Sequence, residues 1–210
     1  MTLINVNIIN GYAPGEDGGA IYNAGTVDLR NCSFNFNIAD KEGGAIASYK
    51  MTKIYNCTFD SNSAGDRGGA ISCSYGDIII DNSTFTNNRA NYRGGALYAE
   101  GKLNISNSNF SNNKASYGGA ISNQNNAKSI IANSTFKNNS ASSIGGAIRN
   151  NGGQLDINDS TFDNNSAGEY SGAVSSFTDS ATEVYNSVFM SNSAGDRGGA
   201  IRNGGNLIVF

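Results

Sequence analysis

The chain has 210 residues and a net charge of −3, and its 14 basic residues alternate with 17 acidic ones without forming a basic cluster. This balance argues against a nucleic-acid-binding protein. Histidine and tryptophan are both absent, which removes the commonest general base and the side chain best suited to stacking on sugar rings. The longest apolar runs, such as Ile78–Ile80 and Leu207–Phe210, are too short to span a bilayer, so we expect no membrane insertion by this segment.

A four-residue motif, Gly-Gly-Ala-Ile, recurs along the whole chain. Its eight copies, two of them conservative variants, are Gly18–Ile21, Gly43–Ile46, Gly68–Ile71, Gly94–Leu97, Gly118–Ile121, Gly145–Ile148, Ser171–Val174 and Gly198–Ile201. Successive copies begin 25, 25, 26, 24, 27, 26 and 27 residues apart. A regular period of this size indicates one supersecondary unit stacked on itself, each copy burying its inner face against its neighbours.

A second motif, Phe-x-x-Asn, keeps the same period. It begins at Phe34, Phe59, Phe85, Phe110, Phe136, Phe162 and Phe189. In each unit a short alternating stretch comes first, as in Val27–Arg30, and this alternation predicts a half-buried strand. An Asn such as Asn31 follows and is expected to turn the chain in a left-handed conformation. We expect each Phe to point inward and the Asn three residues later to form the next turn.

It is harder to infer which side chains of the Gly-Gly-Ala-Ile strand face the core. Two residues after each Ala stand side chains of mixed polarity, including Arg149 and Arg202. Because arginine is rarely buried, we expect this position and the Ala to face solvent, with the Ile facing the core. The second Gly is expected where backbone passes close to backbone.

These features predict an all-β parallel β-helix of about eight coils of ~25 residues, with three short strands per coil. Residues 1–210 form a single array. Neither end has an atypical capping repeat, since Met1–Ala13 already reads as part of a coil and the C-terminus as the start of another strand. We therefore expect a fragment of a longer surface protein that lacks its caps, export signal and anchor.

The phased GGA(I/L/V) and FxxN motifs resemble the repeats of chlamydial polymorphic outer membrane proteins. The fuller pattern, as in Asn133–Ile148, is still more similar to adhesin-like surface proteins of methanogenic archaea. The resemblance covers essentially the whole chain. It implies a right-handed parallel β-helix, export to the cell surface, and contact with other cells or host surfaces; it supplies no binding site.

Candidate sites for chemistry are sparse. Asp28 with Arg30, Lys53, and Asp156 with Glu183 lie on outward strand positions but do not build a sustained carboxylate cluster. We expect neither a metal site nor a cofactor, because the Gly-Gly motifs lack oxygen ligands at the required spacing. Cys32 and Cys57 occupy the same position in adjacent units; free thiols are favoured there, but a bridge stays open.

The loops that precede each Gly-Gly are the most distinctive exposed feature. Stacking should align them into one ridge of arginine, tyrosine and acidic residues, and arginine and tyrosine are enriched where proteins bind partners. The candidate ligand-contact residues are Asp66, Arg67, Tyr92, Arg93, Tyr117, Glu169, Tyr170, Asp196 and Arg197. The alternative is a solubilising edge whose charges simply alternate.

The sequence thus favours the repeat region of an adhesin-like cell-surface protein that contacts a protein or glycan of another cell or host. A passive stalk that holds a distant domain away from the envelope is the alternative. A polysaccharide lyase or hydrolase is disfavoured, and we expect no enzymatic activity.

Overall fold

A computed structural model describes residues 1–124, 128–177 and 180–210. The chain winds into a parallel β-helix, in which every strand pairs in parallel with the equivalent strand one coil away. Four strands recur in each coil and build four sheets, here called A to D in chain order. The predicted fold class is confirmed, and sheet C, made mostly of two-residue strands, is the addition to the three strands expected.

The strands are numbered β1 to β33 along the chain. Sheet A holds β1 (Thr2–Ile4), β5 (Val27–Arg30), β9 (Thr52–Tyr55), β13 (Ile78–Asp81), β17 (Leu103–Ser106), β21 (Ser129–Ala132), β25 (Gly153–Asn158), β29 (Ser180–Tyr185) and β33 (Asn206–Val209). Sheet B holds β2 (Asn7–Ile9), β6 (Ser33–Asn35), β10 (Thr58–Asp60), β14 (Thr84–Thr86), β18 (Asn109–Ser111), β22 (Thr135–Lys137), β26 (Thr161–Asp163) and β30 (Val188–Met190).

Sheets C and D complete each coil. Sheet C holds β3 (Tyr12–Ala13), β7 (Ile38–Ala39), β11 (Ser63–Ala64), β15 (Arg89–Ala90), β19 (Lys114–Tyr117), β23 (Ser140–Ile144), β27 (Ser166–Ala167) and β31 (Ser193–Ala194). Sheet D holds β4 (Ile21–Asn23), β8 (Ile46–Ser48), β12 (Ile71–Cys73), β16 (Leu97–Ala99), β20 (Ile121–Asn123), β24 (Ile148–Asn150), β28 (Val174–Ser176) and β32 (Ile201–Asn203). Coil 1 is β1 to β4, coil 2 is β5 to β8, and so on to coil 8.

The core is a set of ladders that run along the helix axis. The phenylalanine ladder runs from Phe34 to Phe189, with ring centroids 4.7 to 5.0 Å apart and ring planes within 5° of parallel. The rings from Phe34 to Phe162 are fully buried. Stacking at this spacing follows from the strand repeat of ~4.8 Å. The predicted inward facing of each Phe is confirmed.

The left-handed turn predicted at Asn31 and its equivalents is also confirmed, but the turn predicted at the Asn of the Phe-x-x-Asn motif is wrong by one residue. Asn31 and its equivalents, with Asp159 in coil 7, have positive φ between 43° and 56°. In the Phe-x-x-Asn motif, however, the left-handed residue is the one before the Asn, such as Asn112 with φ 56°. The motif Asn is buried instead of forming the turn.

The buried motif asparagines form a continuous hydrogen-bonded ladder. In coil 5 the Asn113 amide Nδ2 donates to the Phe85 carbonyl at 3.0 Å and to the Asn139 Oδ1 at 3.0 Å. Its own Oδ1 accepts from the backbone N–H and the Nδ2 of Asn88, both at 3.0 Å. Buried polar groups must be satisfied in this way, and an amide, which both donates and accepts, can repeat the pattern from coil to coil.

We expect Asn113→Ala to destabilise the protein by about 2–4 kcal/mol, because it leaves groups of Asn88, Phe85 and Asn139 buried with fewer partners. Chemical denaturation of the 210-residue chain measures the effect. The control is Asn109→Ala on the exposed face of β18, which should change stability by less than about 0.5 kcal/mol. Equal losses for both variants would mean that the ladder contributes nothing.

The Gly-Gly pair has two different requirements. The first glycine has positive φ, for example 64° at Gly118, whereas Ser171 takes this conformation in coil 7 and its hydroxyl donates to the Val174 carbonyl. The second glycine lies against backbone of the next coil: a Cβ on Gly119 would overlap the Gly146 carbonyl oxygen. The expected close approach of backbone at this position is confirmed.

The facing predicted for the Ala of the motif is wrong. Ala45, Ala70, Ala96, Ala120, Ala147 and Ala173 are fully buried and belong to the hydrophobic core. The strand begins only at the following Ile, so the alternation of faces does not extend back to the Ala. Consistent with this break, the backbone N–H groups of Ala45 and Ile46 both donate to the same carbonyl, that of Ala70.

The positions two residues after the Ala point away from the core but are largely covered. Tyr22 is 61% exposed, as predicted, whereas Ser72, Tyr98, Ser122 and Ser175 are buried. Arg149 is only 8% exposed. The prediction that this row faces solvent is therefore wrong for most coils, because neighbouring loops place long side chains over the outer face of sheet D.

Candidate functional site: a groove over sheet D

Three parallel rows of residues form a groove on the outer face of sheet D. The loop row consists of the residues that directly precede the Gly-Gly positions: Asp17, Glu42, Arg67, Arg93, Tyr117, Ile144, Tyr170 and Arg197. The floor row consists of the central residues of the sheet D strands: Tyr22, Ala47, Ser72, Tyr98, Ser122, Arg149, Ser175 and Arg202. The far row consists of the residues that follow these strands: Tyr49, Ser74, Glu100, Gln124, Asn151 and Phe177.

Each row is held in register by backbone hydrogen bonds between coils. In the loop row, the residue that follows each loop-row residue donates its backbone N–H to the loop-row carbonyl of the next coil. For example, the Gly94 N–H donates to the Tyr117 carbonyl at 2.9 Å. In the far row, the Gln124 backbone N–H donates to the Ala99 carbonyl at 2.9 Å, and the Phe177 backbone N–H donates to the Asn150 backbone carbonyl at 3.2 Å. The side chains on the three rows therefore recur at the coil spacing of ~4.8 Å.

The structure aligns the sequence-predicted ridge but divides it into two groups. Asp66, Arg67, Tyr92, Arg93 and Tyr117 lie in coils 3 to 5, with Arg67 bridged to Arg93 and Arg93 to Tyr117. Ile144 separates these residues from the second group, Glu169, Tyr170, Asp196 and Arg197 in coils 7 and 8. Arg67, Arg93, Tyr117, Tyr170 and Arg197 belong to the loop row. Asp66, Tyr92, Glu169 and Asp196 lie one residue earlier, and Tyr92 is 40% exposed.

In coils 1 to 4 the groove holds paired charges. Arg67 forms ion pairs with Asp66 at 3.2 Å and Glu42 at 3.5 Å and reaches Glu100 across the groove at 4.0 Å. Its guanidinium lies 5.0 Å from the centre of the Tyr98 ring. Tyr49 also spans the groove, donating to Asp17 at 3.1 Å. These contacts tie the loop row to the far row.

Burial raises the pKa of Glu42, Tyr49 and Tyr98 in this network. The pKa of Glu42 is raised, chiefly by burial, although the hydrogen bond from Ser72 at 2.8 Å and the charge of Arg67 act in the opposite direction. Burial, with a hydrogen bond to Glu100 at 2.7 Å, raises the pKa of Tyr98 to about 12. Tyr98 therefore remains a neutral donor at physiological pH.

Two depressions lie along this half of the groove. The first, of about 360 Å³, is lined by Asp17, Asp40, Lys41, Glu42, Tyr49, Asp66, Arg67, Ser74, Tyr75 and Glu100. The second, of about 570 Å³, is lined by Arg67, Tyr75, Arg93, Tyr98, Glu100 and Gln124. Tyr75 is 83% exposed and stands at the rim of both. Both depressions are open to solvent and lined mainly by polar and charged side chains.

In coils 5 to 8 cationic and aromatic side chains fill the space between the three rows. The Arg149 guanidinium lies 4.7 Å from the Phe177 ring centre and 5.4 Å from that of Tyr117. The Arg202 guanidinium lies 5.0 Å from the Tyr170 ring centre and 5.7 Å from that of Phe177. Within the described part of the chain, neither arginine forms an ion pair, and neither does Arg93.

Sequence reasoning identified the loop row and missed the other two. Tyr98, Arg149, Arg202, Glu100 and Phe177 were assigned to solvent or passed over, because the repeat pattern treats the residues after Gly-Gly-Ala-Ile as an ordinary outer strand. One signal was available. Tyrosine or arginine stands at this position in four coils and alanine or serine in the other four, so the row is not uniform.

The other candidate groups are engaged locally. Asp28 pairs with Arg30 at 3.0 Å, and Asp156 pairs with Lys128 at 2.6 Å. Among residues 1–124, 128–177 and 180–210, no three Cys, Asp or Glu side chains are grouped to hold a metal ion. Cys32, Cys57 and Cys73 are buried free thiols, and burial raises the pKa of the Cys57 thiol to about 11. No helix in the described part is long and apolar enough to cross a membrane.

The fold and its repeating coils define the class of protein. The model of the right-handed β-helix region family matches residues 17–210, which cover most of the chain. The chain therefore belongs to the right-handed β-helix family. Neither the curated proteins nor the solved structures contain a significant match to it.

Proposed function

We propose that this β-helix is the recognition region of an adhesin-like cell-surface protein, and that its groove over sheet D contacts a glycan or protein of another cell or host. The supporting observation is the groove itself, where tyrosine and arginine side chains from successive coils converge on one face. Arginine and tyrosine dominate binding energy at interfaces because they combine large contact area with directional hydrogen bonds.

The contrast between inner and outer rows strengthens this proposal. Inside, the Phe and Asn ladders repeat almost unchanged, as stacking requires. In the loop row the side chain changes from acid to arginine to tyrosine within consecutive coils. A scaffold that holds a varied, ordered surface is suited to recognising an extended ligand. Cell-surface location rests on the resemblance to exported repeat proteins.

A passive stalk is the second candidate, and the uninterrupted interior supports it. The parallel strand pairing continues through all eight coils and the stacked rings through coils 2 to 8, which makes a stiff rod of roughly 40 Å at ~4.8 Å per coil. Such a rod would hold a distant domain away from the envelope whether or not its own surface binds anything. No catalytic activity is proposed for either role.

Binding by the 210-residue chain alone separates the two roles. We expect the chain to bind a subset of a glycan array or of intact cells, and we expect Tyr92→Ala with Arg93→Ala to weaken that binding. The matched control is Arg89→Ala on the exposed side of sheet C, which should leave binding unchanged. Absence of binding to any target would favour the stalk, and release of reducing or unsaturated ends from acidic polysaccharide would indicate an enzyme.

A further inference from the structure

The outer face of sheet B is flat and separate from the groove. In every coil this sheet lies between two residues with positive φ, such as Asn31 with 53° and Phe36 with 57°. Its strands pair without a register shift from coil 1 to coil 8. The rings beneath it, from Phe34 to Phe189, stay within 5° of parallel, so the sheet twists little between coils. Untwisted sheets of many strands are unusual and are suited to face-to-face stacking.

The apolar side chains of this face lie at its two ends. Ile9 is in coil 1, Val188 and Met190 are in coil 8, and all three are between 45% and 50% exposed. They alternate with Ile8 and Phe189, which pack against the core, so they point outward whatever adjoins the end coils. In coils 2 to 7 every outward residue of the sheet B strands is polar. The face therefore has apolar ends and a polar centre.

Phe36 enlarges the apolar end in coils 1 and 2. It is exposed and stands at a left-handed corner where the other seven coils carry Asn or Ser. This conformation is unfavourable for a bulky side chain, and the ring lies outside the hydrophobic core. Neither its conformation nor its exposure stabilises the coil, which leaves an external contact to account for it.

From these observations we propose that a second copy of this chain covers sheet B in an antiparallel dimer. The two-fold axis runs along the strand direction, between coils 4 and 5. It places coil 1 of one copy over coil 8 of the other, coil 2 over coil 7, and coil 3 over coil 6. Each strand position then faces the same position of the opposite strand, and every contact occurs twice, as in any isologous interface. This inference concerns another face than the groove and does not rest on the groove's ligand.

The antiparallel arrangement matches apolar with apolar and acid with base. Ile9 faces Met190 of the second copy, and Asp60 in coil 3 faces Lys137 in coil 6. Lys137 pairs with Asp163 of its own chain at 2.9 Å, whereas none of the ion pairs among the described residues involves Asp60. The dimer therefore supplies Asp60 with a cation. Charge complementarity of this kind fixes the register of an interface.

A parallel dimer, with its axis along the helix, lacks this match. It would place Asp60 against Thr58 and Lys137 against Thr135, so neither charge would gain a partner. The size of the face suits a reversible dimer. From corner to corner it is six residues wide and eight coils long, roughly 16 Å by 38 Å at ~3.3 Å per residue and ~4.8 Å per coil. Two such faces bury about 1,200 Å², at the lower end of specific interfaces.

The test is sedimentation velocity of the 210-residue chain from about 1 μM to about 1 mM, with zero-length carbodiimide cross-linking of the same samples. We expect a concentration-dependent dimer and a link between Asp60 and Lys137. Within one chain these two residues are three coils, about 14 Å, apart, so this link forms only between copies. The link between Lys137 and Asp163 within a chain is the internal control for reactivity. A dimer without the Asp60–Lys137 link overturns the proposal.

Lys137→Glu places like charges opposite each other twice in the dimer and should weaken association by about tenfold or more. Adding Asp60→Lys restores opposite charges in reversed order and should recover much of the loss. The matched control is Lys102→Glu, the same change at an exposed residue next to β17 of sheet A, which should leave association unchanged. If the chains instead associate end to end through coils 1 and 8, Lys137→Glu has no effect and oligomers grow beyond the dimer; either result overturns the proposal.

Ile9→Thr with Met190→Thr tests the apolar ends without changing charge. Both side chains are exposed, so the variant should fold normally and associate several-fold more weakly. An unchanged dimer would count against the antiparallel contact. A chain that binds a glycan or protein but stays monomeric at every concentration keeps its recognition function and lacks this interface.

Discussion

Phe136→Ala is expected to destabilise the protein by about 3–5 kcal/mol, the loss typical of a large-to-small change in a packed core. The Phe136 ring lies 5.0 Å from that of Phe110 and 4.8 Å from that of Phe162, and it is fully buried. Backbone hydrogen bonds hold the coils at their spacing, so the neighbouring rings cannot collapse into the space. Chemical denaturation measures the loss, and amide hydrogen exchange should show it concentrated in coils 5 to 7.

Thr135→Ser is the matched control for this change. Thr135 is the first residue of β22, directly precedes Phe136 and is partly exposed on the outer face of sheet B. Losing its methyl group should change stability by no more than about 0.5 kcal/mol. Similar small losses for both variants would show that Phe136 is not part of a ladder of stacked, buried rings.

Gly119→Ala should be at least as damaging, with an expected loss above about 4 kcal/mol, a size that normally indicates a steric or cavity mechanism. The added Cβ would overlap the Gly146 carbonyl oxygen and lie 2.6 Å from the Ser140 carbonyl carbon. Both are backbone atoms of coil 6, which cannot rotate away as a flexible side chain could. The variant can fold only by separating two coils, so we expect a lower denaturation midpoint and a local increase in hydrogen exchange.

Gly25→Ala tests whether that loss is steric rather than a general effect of replacing glycine. A Cβ at Gly25 would meet nothing closer than the Asn23 amide nitrogen at 3.7 Å, and its φ is not in the left-handed region. This variant should be neutral, or slightly stabilising, because alanine restricts the unfolded chain. A comparable loss at both positions would contradict the close approach of backbone at Gly119.

The stability predictions concern the ladders, whereas the binding predictions concern the groove. Most groove variants remove side chains that contribute no ladder contacts, so they should alter ligand affinity more than stability. Arg149 is the extreme case, since its burial without an ion pair is unfavourable for folding. Unfavourable burial of this kind is expected where a residue is retained for a reason other than stability.

The sequence by itself determined the repeat and the main ladder of the interior of this protein. The period of the Gly-Gly-Ala-Ile and Phe-x-x-Asn motifs predicted a parallel β-helix, the inward facing of Phe136 and the left-handed corner at Asn133. A solenoid makes such prediction possible because each coil contacts only its neighbours, so a residue that fits once must recur at the same position. Residues that recur at the same position of each repeat can therefore be assigned to the core from the sequence.

Only the tertiary structure decided the exterior and part of the interior. It placed Asn113 in a buried ladder instead of a turn, buried Ala120, and covered the sheet D row that contains Arg149. The fate of an outward side chain depends on the length and direction of side chains from two loops that lie elsewhere in the coil and vary between coils. Periodicity contains no information about such contacts, so the groove became visible only when the loop row, the floor row and the far row were brought together in space.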